Sequence, residues 1–266
     1  MKRLLSLIVI LLLNLEGFAQ KESLQAFGPG ERLRYLLRYQ WASINTDVGD
    51  AIFTINQMKD SSGQYYVARV NGKSFKFYDI FFKVRDYYES RFYPEGVVPV
   101  YFHRDVLEGK YKMKNHIFFL KDNTIKASYK RREAPFRDTL HKVQTKTYDL
   151  LSLIYAIRNE SFSAKSYGEI SKASFAIDGK LYTIKYTYIG REIKKVSGLG
   201  VFNTYKIEVS PASGNVFKGS ENIAIWLSAD ENRVPLQIET PIQVGNVMAR
   251  LTEFSNLKYP LKSKIK

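Results

Sequence analysis

The chain contains no cysteine. That excludes disulfides, a thiolate metal site, a cysteine nucleophile and a lipid-modified N-terminal cysteine, so the core must hold without covalent staples. Histidine is nearly as scarce. His103, His116 and His141 are the only three, no His-Glu-x-x-His run occurs, and no metal or cofactor is expected. No Gly-x-Ser-x-Gly elbow is present, and Gly198-Leu199-Gly200 lacks both the third glycine and the following helix of a dinucleotide loop. No catalytic residue is assigned. Acidic side chains are under-supplied, with 26 Asp and Glu against 41 Lys and Arg, a formal charge of +15. Such a balance favours anionic surfaces. The densest basic run, Lys130-Arg131-Arg132, reads as a solvated loop or strand end.

Long apolar runs are also missing after the start of the chain, so no membrane-spanning helix is expected. At the start, Lys2 and Arg3 precede an apolar run over residues 4–13, and Gly17-Phe18-Ala19 follows. This is the pattern of a signal peptide over residues 1–19, cleaved after Ala19. The expected destination is the periplasm or cell envelope, which leaves nucleic acid out of the expected partners. Residues 20–266 are then long enough for one large β-rich domain, and no Pro-, Gly- or Ser-rich linker divides them.

What the chain does have is alternation. Leu33, Tyr35, Leu37 and Tyr39 share one face of a strand over 32–41, and Tyr182, Ile184, Tyr186 and Tyr188 share one over 180–189. Near a dozen such stretches recur at hairpin spacing. Turns are expected at Val48-Gly49-Asp50, Asp122-Asn123 and Asp178-Gly179, and a loop at 211–219. Residues 75–84 suit a short helix or a bulged strand, and 135–146 a connector. The clearest helix covers 147–158, where Leu150, Leu151, Leu153, Ile154 and Ile157 form an apolar stripe, with Thr147 a candidate cap. The pattern predicts an all-β fold with one central helix, an antiparallel β-barrel or curved half-barrel, the helix lying on the sheet or plugging one mouth.

Aromatics are abundant, 19 Tyr and 17 Phe. In a solid sandwich they would be core; in a barrel the inner ones would line a cavity, with tyrosine hydroxyls as polar points. The candidate lining residues are Tyr35, Tyr39, Phe77, Phe81, Tyr87, Tyr182, Tyr186 and Trp226. Asp79, Asp86, Glu89 and Asp105 are the candidates for paired carboxylates of glycoside hydrolysis. Salt bridges to the many cations are the preferred reading for them.

Five segments taken together resemble a family of bacterial exported proteins, domain of unknown function 3108. They are Phe27-Gly28-Pro29-Gly30-Glu31, Val48-Gly49-Asp50-Ala51, Arg85-Asp86-Tyr87-Tyr88-Glu89-Ser90, Tyr148-Asp149-Leu150-Leu151-Ser152 and Trp226-Leu227-Ser228-Ala229-Asp230. The resemblance implies no known activity and brings no catalytic residues. The functional expectation therefore rests on the strands: non-enzymatic binding of an apolar or amphipathic, lipid-like molecule in a barrel cavity. The alternatives are an interaction or scaffold module of the envelope and a glycan-active enzyme.

Overall fold

Strands next to each other in sequence pair with one another, except at one break, so the alternating stretches wind into two runs of neighbours that the first and last strands join into a single sheet. The computed structural model describes residues 25–61, 63–210, 222–242 and 244–265. The expected signal peptide and the loop expected at 211–219 lie outside them. The strands are β1 (Arg32–Trp41), β2 (Ile44–Asp60), β3 (Gly63–Ser74), β4 (Val84–Tyr93), β5 (Val98–Glu108), β6 (Tyr111–Phe119), β7 (Thr124–Arg131) and β8 (Arg137–Lys142). They continue with β9 (Thr147–Tyr148), β10 (Ile170–Ile177), β11 (Lys180–Val196), β12 (Gly200–Ser210), β13 (Ile223–Ser228), β14 (Pro235–Pro241) and β15 (Asn246–Ser255). All belong to one sheet, in the order 8-7-6-5-4-3-2-1-15-14-13-12-11-10-9. The pairings are antiparallel except β9 with β10.

The sheet is curled but not closed, because β8 and β9 do not pair. Its two ends nevertheless meet at the β10–β11 turn. Asp178 N donates to Asn115 Oδ1 at 3.3 Å, and Arg104 forms an ion pair with Asp178. The Thr139 hydroxyl donates to Gly179 O at 3.2 Å, with His141 Nε2 2.8 Å from the same oxygen. Side chains thus bridge a seam that backbone pairing leaves open. The expected curved half-barrel is the architecture observed.

Among the described residues two α-helices interrupt the strands, α1 (Asp79–Phe82), a single turn between β3 and β4, and α2 (Leu150–Arg158), and one turn of 3-10 helix follows at Phe162–Ala164. Asp149, not Thr147, caps α2. Its carboxylate accepts from Leu151 N and Ser152 N, both at 2.9 Å, and Asp149 N donates to Ser152 Oγ in return. Ser90 on β4 donates to Asp149 Oδ2 at 2.7 Å, fixing the helix start inside the curl. At the other end Arg158 pairs with Glu31, just ahead of β1, and donates to Asn232 O in the β13–β14 turn at 3.1 Å. Side chains of α2 pack into two of the three core clusters, so the helix stoppers one end of the curled sheet.

Two local expectations change. Val48-Gly49-Asp50 is not a turn but lies inside β2, and the reversal falls at residues 42–43. Gly49 serves close approach: a Cβ there would sit 2.3 Å from the carbonyl oxygen of Lys73 on β3. Residues 135–146 hold β8, a polar edge strand whose exposed Arg137-Asp138 and Leu140 hide the alternation.

Candidate ligand cavity

The inner face of the curl is set by strand parity. On β4, Tyr88, Ser90 and Phe92 point inward and Tyr87, Glu89 and Arg91 outward, as the Ser90–Asp149 bond requires. Above α2 the inner side chains do not meet across the curl, and a cavity of about 390 Å³ remains. Its floor is Leu150, Leu153, Ile154 and Ile157 of α2. Leu33, Tyr35 and Leu37 of β1, Phe53 of β2 and Tyr88 of β4 form one wall. Ile184, Ile207, Val209, Ile225, Leu227, Ile238 and Ala249, from β11 to β15, form the other. A wall of this kind attracts hydrocarbon and offers few hydrogen bonds. The lining runs up to Leu37, Gly72, Val84, Ile223 and Thr240, which stand near the strand ends opposite the floor.

One ionisable group stands in that upper wall. Asp86 on β4 lines the cavity and accepts from Leu107 N at 3.2 Å. Burial first, and the neighbouring Glu108 carboxyl second, push the Asp86 carboxyl up to about 7. At neutral pH it therefore exchanges between a neutral acid and a carboxylate.

Of the eight candidate lining residues, Tyr35 faces this cavity, its hydroxyl donating to Pro235 O at 2.8 Å. Tyr186 lines a second, more polar cleft, and Tyr182 stacks on Phe175 at 5.6 Å between ring centroids. The other five lie away from the cavity. Tyr39 sits near the end of β1 and donates to Val244 O at 2.9 Å. Phe77 and Phe81 flank and occupy α1, outside the strands, and face solvent. Tyr87 is on the outer parity of β4, bonded to Glu89 at 2.7 Å. Trp226 lies on the face of β13 opposite Ile225 and Leu227, with Lys194 Nζ 3.5 Å from its ring centroid. The wall residues absent from that expectation are mostly aliphatic, and their signal was the same two-residue alternation.

Of the four candidate carboxylates, Asp79 pairs with Arg85 at 2.5 Å, Glu89 with Arg69 and Arg91 at 2.8 Å each, and Asp105 with Lys114 at 2.6 Å. Asp86 alone of the four reaches the cavity. His103 and His116 stack on the outer face, ring centroids 4.5 Å apart. Among the described residues no group of three or more His, Cys, Asp or Glu is arranged to hold a metal ion, and no helix is long and apolar enough to cross a membrane. The second cleft, about 610 Å³, lies beside α2 and includes Lys146, Glu160, Lys172 and Thr183. Lys165 pairs with Glu160 there at 3.0 Å, and the Tyr186 hydroxyl donates to Glu160, so two of its polar groups are engaged within the protein.

Residues 34–252 match the family described as Protein of unknown function (DUF3108). The chain belongs to that family. The matched range takes in β1 through β15 almost entire, and so the whole wall of the cavity except Leu33. No curated protein matches. A solved structure, the β-barrel-like protein of domain of unknown function DUF1849 from Brucella abortus, is similar with a TM-score of 0.56 at 10% identity. The similarity covers 85% of this chain and 97% of that one, and it speaks to the fold. The DUF3108 chain thus shares a barrel-like architecture with a protein of another family.

Proposed function

We propose that this DUF3108 protein is exported to the cell envelope and there binds an apolar or amphipathic, lipid-like molecule in the cavity above α2. The observation that carries this reading is the cavity itself: about 390 Å³, walled by aliphatic and aromatic side chains from both halves of the sheet. That size falls within the roughly 300–1,000 Å³ of small-molecule sites. Leaving such a wall wet costs about 25 cal/mol per Å² of apolar surface, a cost that a hydrocarbon ligand removes. The ligand's chain lies against the floor, and its polar end sits near Asp86, the ionisable group of the upper wall. Export follows from the N-terminal pattern, with cleavage after Ala19 leaving Gln20 first.

The test is native mass spectrometry of the protein purified from the envelope fraction, followed by solvent extraction and lipid analysis. A co-purifying lipid or fatty acid near one per chain, released on denaturation, is the expected result. The same intact mass reports the cleavage site. A well-folded protein that arrives empty and takes up no fatty acid or phospholipid in solution would remove this reading.

A further inference from the structure

The strand ends opposite α2 carry a cluster of exposed apolar side chains. Phe77, Ile80, Phe81 and Phe82, in and beside α1, are 67%, 81%, 75% and 56% exposed. Trp41 and Ile44 flank the β1–β2 turn, and Ile242 and Val244 the β14–β15 turn; all four are exposed. These loops form one surface. The Thr46 and Tyr78 hydroxyls are 2.6 Å apart, tying α1 to the start of β2. Gly245 packs so close to β1 that a Cβ on it would lie 2.8 Å from the Trp41 Cβ. Beneath this surface is the end of the cavity marked by Leu37, Val84 and Thr240.

Cations frame the cluster. Lys76 and Lys83 bracket the aromatic run, both exposed, and neither enters a salt bridge among the described residues. Arg131 and Arg132, from the run singled out in the sequence, stand exposed at the β7–β8 turn on the same end of the sheet. Of the acidic groups nearby, Asp79 pairs with Arg85 at 2.5 Å, Asp47 with Arg38 at 2.7 Å and Glu133 with Lys112 at 3.8 Å. Glu108, opposite Val84, enters no salt bridge among the described residues, so the cations of this end outnumber the unpaired carboxyl beside Lys83. Exposed rings with bracketing lysines are what a headgroup interface accepts, the rings entering the acyl boundary and the ammonium groups meeting phosphate.

The geometry points to this end of the sheet as a docking surface for an anionic lipid bilayer. Phe77, Ile80 and Phe81 enter the headgroup region, and Lys76 and Lys83 contact lipid phosphates. This inference rests on the reading of the cavity as a lipid-like site, for which docking here lets a hydrocarbon pass between bilayer and cavity without crossing water. Charge complementarity favours a bilayer over a protein partner: the surface is cationic and the chain's formal charge is +15.

The test is flotation of the protein with vesicles of phosphatidylglycerol and phosphatidylcholine, and with phosphatidylcholine alone. Wild type floats with the anionic vesicles and stays behind with the zwitterionic ones. Phe77→Ser with Phe81→Ser, and separately Lys76→Glu with Lys83→Glu, each cut the floated fraction about tenfold. All four positions are exposed, so thermal unfolding should not move. Retention of a fluorescent fatty acid by the same variants, without vesicles, reads the cavity independently. Failure of wild type to float, with fatty acid retained, overturns the docking and leaves the cavity reading standing; loss of retention alone does the reverse. Variants that float like wild type also overturn the docking. So does a doubling of solution mass that Phe77→Ser with Phe81→Ser abolishes in a protein that never floats, since the surface would then join two copies of the chain.

Discussion

Arg158 and Glu31 meet as a two-pronged ion pair, at 2.6 and 2.8 Å, with both side chains only 1% exposed. One residue ends α2 and the other stands ahead of β1, so this pair holds the stopper in the curled sheet. Arg158 also donates to Ala26 O and Asn232 O, and its guanidinium lies over the Phe27 and Tyr155 rings, 5.4 and 5.5 Å from their centroids. Each of the three guanidinium nitrogens thus donates to an acceptor within the protein. The pair is therefore structural, and the floor of the cavity depends on it.

Replacing Arg158 with Met leaves the Glu31 carboxylate buried and unpaired, which costs about 3–5 kcal/mol. Urea unfolding should show the midpoint falling with little change in slope. Glu31→Leu combined with Arg158→Met removes both charges and recovers a large part of that loss. A double variant as unstable as the single one would mean that packing against Phe27 and Tyr155, not charge, is what Arg158 contributes.

The cap of α2 is a second support. Asp149→Ala removes two acceptor contacts to backbone N–H groups and strands the Ser90 hydroxyl, for a loss of at least about 2 kcal/mol. Ser152→Ala removes the reciprocal bond to Asp149 N and the hydroxyl's own bond to Asp149 Oδ2, but leaves both backbone N–H groups on the carboxylate, so it costs less. Reversing that order in thermal melts would contradict the assignment of Asp149 as the cap.

Legibility in the sequence followed distance along the chain. The β1 face of Leu33, Tyr35 and Leu37, the helix stripe and the Asp178-Gly179 turn were readable because each is decided by neighbours within a few residues. Which face of a strand is inner is not decided locally. Tyr87 and Tyr88 sit side by side with nothing in the sequence to choose between them; the choice is made by Ser90 reaching Asp149, 59 residues away. Trp226, the largest side chain on β13, attracted the lining role, yet Ile225 and Leu227 hold the inner face and Trp226 packs under Lys194 and Lys206. Gly49 is hard to place for a related reason, since in sequence a glycine that admits a neighbouring strand looks like one that bends the chain.

That glycine yields its own expectation. Gly49→Ala forces a Cβ to within 2.3 Å of a backbone carbonyl, so β2 and β3 must separate. A loss of about 1–3 kcal/mol follows, with faster amide exchange in both strands. Gly72→Ala, on the facing strand, meets only the Asp86 Cβ at 3.7 Å, an ordinary contact, and should leave stability nearly unchanged.

The cavity can be filled without disturbing its supports. Ala249 on β15 lines it beside Leu37. Ala249→Leu puts apolar volume where none stands, so the melting temperature holds or rises while retention of a fluorescent fatty acid falls about tenfold. Undiminished retention in a stable variant would place the ligand elsewhere.

Asp86 makes the system pH-dependent with a definite sign. Its folded-state carboxyl is raised to about 7 by burial and by Glu108, above the ordinary value of 3.8 that the unfolded chain keeps. Between those two values the folded protein holds a proton that the unfolded chain has released, so this group's contribution to stability is full below about pH 4 and declines as pH rises toward 7. Asp86→Asn keeps an oxygen to accept from Leu107 N and cannot ionise. Its melting temperature should match wild type near pH 4 and exceed it at pH 8. Binding follows the same sign, because a hydrocarbon entering the cavity strips water from whatever charge Asp86 carries. Wild type should hold a neutral long-chain alcohol more tightly at pH 6 than at pH 8, and Asp86→Asn should hold it equally at both. A wild-type affinity that rises with pH would mean that the carboxylate is the form that meets the ligand.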